Sequence, residues 1–366
     1  MEISISDPVN QTIFFLIIFL IALLATTRLQ SAPLKLTRTV TDELKGFAIL
    51  GIIFSHIGYF LVAGDKFLFP LSVLAGVSVN LFLFLSGFGL THSQLTKPLT
   101  IFQFYKRRLF RLYIPLWILL TILFSLNPIY FKLDYTFEEI LLNLLGVFPV
   151  ADLFLNINSP LWYFSIILFY YLIFPWVFKL KYFAPIALLS IQFIILNDQI
   201  AFINPDVQKL YALHNLAFPL GMAIAFFEQR FNFQLKVPHA LKPLILIVFI
   251  LAFSYFSLNT AVDTNVDREE LLSLMTMFLL IGIFIFSPIK FKLFEIFGKY
   301  SYEIYLVHWP ILVHFNFLYS VFPASIATTF YLGIFLGIGE IFQRLTHLSL
   351  QRVRRIYHAL QKRLYS

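Results

Sequence analysis

The chain has 366 residues, 60% hydrophobic and 13% charged, with a mean hydropathy of +0.84; an ordinary soluble domain carries about a quarter charged residues. A single soluble core cannot hide 46 Phe and 18 Tyr, so the composition excludes a soluble globular domain and implies a polytopic membrane protein. The net charge of +8 has to be explained by its distribution, and the absence of cysteine excludes disulfides, thiolate nucleophiles and Cys-ligated metals.

Apolar stretches able to cross roughly 30 Å of hydrocarbon fall at 10–27, 44–63, 71–91, 109–127, 160–178, 183–197, 210–228, 243–259, 271–287, 301–319 and 324–343. The expected fold is therefore an all-α polytopic membrane helix bundle of about eleven transmembrane helices. The first stretch has no basic flank before it and no A-x-A site after it, so it reads as a retained helix rather than a signal peptide. Cytoplasmic loops accumulate Lys and Arg. With the N-terminus outside and the C-terminus inside, all 27 basic residues except Lys66, Lys132, Lys209 and Arg268 fall on the inner side. Acidic residues such as Asp134, Glu138, Asp263 and Glu269 gather on the outer side. The positive charge is thus mainly a topology signal, and no nucleic-acid partner is expected. Membrane lipid is one instead: the basic, amphipathic tail 344–366 suits an anionic inner leaflet.

Ionisable groups within a bilayer cost several kcal/mol, so each calls for a partner or a function. In LKGFAILGIIFSHIGYF (44–60), Lys45 and His56 are eleven residues apart. Eleven residues turn through about 1100° and rise roughly 16 Å, so both lie on one helix face. A lysine at the inner mouth and a histidine deep in the membrane suit a long anionic ligand entering from inside. His56 as a packing histidine and Lys45 as a snorkelling topology marker are the alternatives. In VSVNLFLFLSGFGLTHSQL (77–95), Asn80 is polar within an apolar helix, and Ser86-Gly87 forms a notch for a ligand or for helix packing. In FYKRRLFRLYIPLW (104–117), Arg108 and Arg111 share a face and suit a phosphate clamp or positive-inside anchoring. The outer segment 128–159 holds an amphipathic run, EEILLNLLGVF, able to lie flat over a cavity. Trp162 and Tyr163 open the next helix at the interface belt. The span 210–228 is interrupted by His214, Asn215 and Pro219. In GKYSYEIYLVHWPIL (298–312), Ser301, Tyr305 and His308 form a polar stripe, Glu303 lies off that face, and Pro310 is placed to kink the helix. The stripe suits helix-to-helix glue or a channel wall. The scattered histidines suggest no metal site.

Taken in order, LKGFAILGIIFSH, VNLFLFLSGF, RRLFRLYIP, LWYFSIILFYYLIFP and SYEIYLVHWP resemble segments of the membrane-bound acyltransferase 3 family, over about residues 40–345. The resemblance implies an integral-membrane O-acyltransferase of the bacterial cytoplasmic membrane. It would take an acyl group, most often acetyl, from acyl-CoA inside to a hydroxyl of a cell-surface carbohydrate outside. The family's arginine and histidine, ten residues apart on the first core helix, map onto Lys45 and His56. Lysine here keeps the charge but not the bidentate fork. The paired arginines of the family's inner loop fall on Arg108 and Arg111. The family core has ten helices, which makes 10–27 an extra N-terminal one. The implied organisation is an N-terminal helix and inner loop (1–39), an acyltransferase core (40–345) and a basic amphipathic cytoplasmic tail (346–366).

In that frame His56 is the catalytic base, and Lys45, Arg108 and Arg111 hold the CoA phosphates. Asn80, Ser86, Trp162, Ser301, Glu303, Tyr305 and His308 are candidates to line the pore or substrate path. Acyl-CoA is the donor co-substrate, no metal is required, and proteins of polysaccharide assembly are candidate partners. Two other readings use the same buried polar groups: a transporter or flippase for a polar envelope precursor, and a non-catalytic subunit of a polysaccharide export system.

Overall fold

Nine helices among the described residues are long and apolar enough to cross a bilayer. The computed structural model describes residues 3–64, 66–151, 158–197, 203–231, 236–260 and 265–364, with backbone only at 159, 197 and 352–364. The eleven apolar stretches of the sequence all appear as helical segments. They are α1 (Pro8–Ala25), α2 (Arg38–Ser55), α3 (Ala75–Thr96), α4 (Ile101–Leu126) and, after the short surface helix α5 (Phe137–Leu145), α6 (Trp162–Val177) and α7 (Ala184–Asn197). Then follow α8 (Pro205–Leu213) with α9 (Ala217–Phe231), α10 (Lys242–Ser257), α11 (Val266–Phe286), α12 (Lys292–Lys299), α13 (Ser301–His314), α14 (Leu318–Val321) and α15 (Ala324–Leu364). Two features separate nine from eleven. Trp162–Leu196 runs as one apolar stretch whose backbone leaves helical geometry at Lys181 (φ 52°, ψ −120°), and α13 has only 14 residues.

Several boundaries differ from the hydropathy pattern because caps override it. Helix α4 starts eight residues before the apolar stretch at 109. Thr100 and Gln103 form a reciprocal capping box there, so the cluster Lys106–Arg111 is helical rather than loop. Thr37 caps α2 more simply, its hydroxyl accepting from the Val40 N–H, so this helix starts at Arg38, six residues before the apolar stretch at 44. Helix α15 continues without a break to Leu364, so the backbone of the basic tail extends the last helix.

Helix α2 is central and touches α3, α11, α12 and α13. Its contact with α12 needs two glycines. A Cβ on Gly46 would stand 1.8 Å from the Phe294 carbonyl oxygen, and one on Gly298 would stand 1.7 Å from that of Asp42. Small residues let backbones meet where lipid gives no hydrophobic drive for helices to associate. An antiparallel strand pair, β1 (Thr27–Leu29) with β2 (Ile289–Phe291), joins the ends of α1 and α11. Glu43, 1% exposed, fastens this pair to α2. One oxygen accepts from Phe291 N–H at 2.6 Å and the other lies 3.4 Å from Lys290 Nζ. Helix α1 covers α12 and α15 while most of its surface stays outward, as an added peripheral helix does.

The helix expected at 210–228 is broken at His214–Leu216. The Leu216 N–H at the start of α9 is taken by the Glu270 carboxylate of α11 at 3.0 Å. A carboxylate at a helix N-terminus satisfies an orphan donor and meets the positive end of the dipole. Pro219 falls in the first turn of α9, where a missing N–H costs nothing.

Candidate active site

Helix α2 changes character at His56. The chain enters a π-helical turn over His56–Leu61, a local widening that turns a side chain out of the regular ladder and often marks functional positions. The imidazole lies against α13, with Trp309 of that helix and Phe60 of the π-turn packed edge-on at 5.2 Å and 5.8 Å between ring centroids.

His56 Nδ1 lies 2.6 Å from Nε2 of His308 on α13. The ring planes differ by 7° and the centroids are 4.8 Å apart, close to that bond plus the two ring radii. The rings therefore lie end to end in one plane rather than face to face, and the bond runs along the lone-pair direction. The tautomers follow from the other end of the chain. His308 Nδ1 faces the Tyr305 carbonyl at 2.8 Å and the Ile304 carbonyl at 3.2 Å. Carbonyls only accept, so Nδ1 of His308 carries the proton and its Nε2, in the neutral ring, accepts. His56 Nδ1 must then donate, which leaves Nε2 of His56 as a lone pair.

His56 lines a cavity of about 340 Å³ at the end of the bundle away from the basic cluster. Ligand pockets span about 300–1,000 Å³. The wall includes Trp162, Tyr163 and Tyr305, together with Lys209, His214, Glu269 and Ser273. Tyr305 also donates to the Pro160 carbonyl at 2.9 Å, which ties α13 to the turn that opens α6.

The other residues singled out by sequence divide into three groups. Trp162 and Tyr305 line the cavity with His56, whereas His308 and Asn80, both fully buried, stand behind it and hold its histidines. Ser86 faces the phenols of Tyr163 and Tyr171, and Tyr171 in turn faces half-buried Arg108. With the Tyr163–Tyr305 contact at 5.4 Å, this makes a polar line from the basic end of the bundle towards His308 and His56. Gly87 is a packing residue: its Cβ would stand 2.2 Å from the Phe218 carbonyl oxygen of α9. The third group lines neither the cavity nor the row of hydroxyls. Lys45 is held by Asp42 at 3.2 Å, and no contact joins it to Arg108 or Arg111. Arg111 is exposed, with its charge near Arg108 and Tyr171; Ser301 is buried at the start of α13, and Glu303 faces Gln343 of α15.

Sequence reasoning did not single out His214, Ser273, Lys209 and Glu269 as site residues. His214 is visible as a polar break in a span, Lys209 and Glu269 sit near helix starts on the acid-rich side, where charge is unremarkable, and Ser273 is a lone small hydroxyl inside the apolar stretch 271–287.

A family model described as an acyltransferase domain matches residues 42–340, a range that contains every residue lining the cavity. The chain belongs to the acyltransferase 3 family. No curated protein and no solved structure matches it. Family and fold together make it a multi-pass membrane acyltransferase. In this acyltransferase, two histidines reach the cavity with a partner fixing the free nitrogen: His56, held by His308, and His214, held by Asn80.

Proposed function

We propose that this acyltransferase moves an acetyl group from cytoplasmic acetyl-CoA to a hydroxyl of an extracytoplasmic carbohydrate at the bacterial cytoplasmic membrane. The observation that carries the reading is the His308–His56 pair, which leaves His56 Nε2 unprotonated at the cavity wall.

In the reaction, the acceptor hydroxyl gives its proton to His56 Nε2 as its oxygen attacks the thioester carbonyl. The tetrahedral intermediate collapses with cleavage of the C–S bond. The thiolate takes the proton from the imidazolium, so an ester and free CoA leave and His56 is restored. Imidazole titrates near neutrality and serves both steps. While His56 is charged, its Nδ1–H···Nε2 bond to His308 becomes charge-assisted and strengthens. Arg108, at the basic end of the polar line, suits the CoA phosphates, and the Ser86 and tyrosine hydroxyls beyond it suit the amide-rich arm. Trp162 offers an apolar ring to a sugar face.

The transporter reading rests on broken helices, but Glu270 closes the break at His214–Leu216. The test uses purified protein in liposomes with labelled acetyl-CoA and glycan extracted from cells lacking the protein. Label in the glycan, released by mild base and absent with His56→Ala, supports the reading. Intact acetyl-CoA, or transfer that survives the substitution, overturns it.

A further inference from the structure

The cavity holds a second polar assembly. His214 Nδ1 lies 2.7 Å from Asn80 Oδ1, and Asn80 Nδ2 donates to Ser273 Oγ at 2.9 Å. Asn80 has no exposure and His214 and Ser273 have 4% and 2%. An amide oxygen only accepts, so the His214 proton is on Nδ1 and its Nε2 is a lone pair. That nitrogen has no partner among the described residues and is not sealed off, and His214 lines the cavity. Ser273, also on the wall, accepts from Asn80 and keeps its own O–H to donate. The imidazole lies nearly parallel to Trp162, at 14° and 5.9 Å.

Asn80 thus fixes two neighbouring groups with opposite sense, an acceptor at His214 and a donor at Ser273. A hydroxyl both gives and takes a hydrogen bond, and meets both needs at once. A carboxylate or phosphate cannot give a proton to Nε2, and an ammonium cannot take one from serine. Building on the acetyl-transfer reading, we propose that His214 and Ser273 bind a second hydroxyl of the acceptor. Gripping that hydroxyl while Trp162 faces the ring selects which hydroxyl of a polyhydroxylated substrate reaches His56. His214 acts here as a specificity residue, separate from the proton transfer at His56.

Two substitutions separate this role from simple helix glue. The Asn amide nitrogen overlays His Nδ1, so His214→Asn keeps the bond to Asn80 and removes the cavity-facing nitrogen. The Gln amide overlays Nε2, so His214→Gln keeps a polar group at the cavity and gives up the bond. Gly76→Ala adds a third handle. Its methyl would sit 3.6 Å from Ser273 Oγ and 3.9 Å from His214 Cε1, ordinary contacts that crowd the grip without straining the helix.

The experiment measures the melting temperature, the KM for extracted glycan, and ester positions on the glycan by two-dimensional NMR. The expected result for His214→Asn is a near wild-type melting temperature, a KM raised about tenfold, as for one lost hydrogen bond, and esters spread over more than one position. Gly76→Ala shifts both readouts the same way, and His214→Gln holds the ester position better than Asn does. One ester position with unchanged KM in His214→Asn overturns the proposal. So does a fall in melting temperature and kcat with KM and position unchanged, which marks helix glue. No acetyl transfer by the wild type would instead overturn the acetyl-transfer reading on which the proposal is built, and normal transfer by His56→Ala would overturn the role of His56 in it.

Discussion

His308→Leu removes the acceptor for His56 Nδ1 with little other disturbance. The two carbonyls that His308 Nδ1 faces belong to the α13 helix and keep their ladder partners, and leucine fills much of the vacated space. In the ground state the lost bond is neutral, and an ordinary net contribution is about 1 kcal/mol. In the transition state His56 is an imidazolium, and a hydrogen bond to a charged group contributes about 1.5–3 kcal/mol. Only the difference between the two states, about 0.5–2 kcal/mol, acts on kcat, and at 1.36 kcal/mol per factor of ten it predicts a fall of about 2- to 30-fold. That is smaller than the roughly 10²–10⁴-fold expected for loss of a general base in His56→Ala. The assay is the initial rate of ester formation with both substrates varied. KM for donor and acceptor should hold, because His308 does not reach the cavity, and His308→Gln, whose amide oxygen can accept, should recover part of the rate. Wild-type kcat in His308→Leu, or a loss confined to KM, would refute the argument that His308 sets the state of His56.

The buried pair at the basic end makes a prediction about stability. Lys290→Met leaves Glu43 charged at 1% exposure and should cost about 3–5 kcal/mol, with the double change Glu43→Leu, Lys290→Met milder than the single; thermal unfolding in detergent measures both. Gly298→Ala drives a methyl into the Asp42 carbonyl and should cost about 3 kcal/mol or more, seen as loss of monodisperse protein. Arg108→Ala should raise KM for acetyl-CoA about tenfold or more at similar kcat, and leave KM for acetyl-pantetheine, which lacks the nucleotide phosphates, nearly unchanged. Equal effects on the two donors would remove Arg108 from the phosphate site.

The helix bundle is legible in the sequence because lipid forces every backbone polar group into helices, so apolar length alone reveals them. Helix ends are less so where a cap extends the helix into polar sequence. Thr100-x-x-Gln103 was the available signal for α4, eight residues ahead of the hydropathy edge. For the site, intramembrane cost singles out His56, and spacing shows that Tyr305 and His308 share a face. Spacing cannot show that His308 meets His56 across 252 positions, nor that Tyr305 reaches the cavity while His308 stands behind it. His214 hides for the opposite reason: a polar break reads as a weak span until Glu270, from α11, is seen closing it. Lys45 shows the limit of a single-helix argument, because its nearest charged partner is Asp42, three residues before it on the same helix.

The central claim, acyl transfer through His56, is tested most directly by counting O-acyl esters on surface glycans by NMR. Cells expressing the wild type and His56→Ala are compared at equal membrane abundance. The account predicts acetyl ester signals with the wild type and none with His56→Ala. Ester levels that are the same in both, or absent from both, would contradict it.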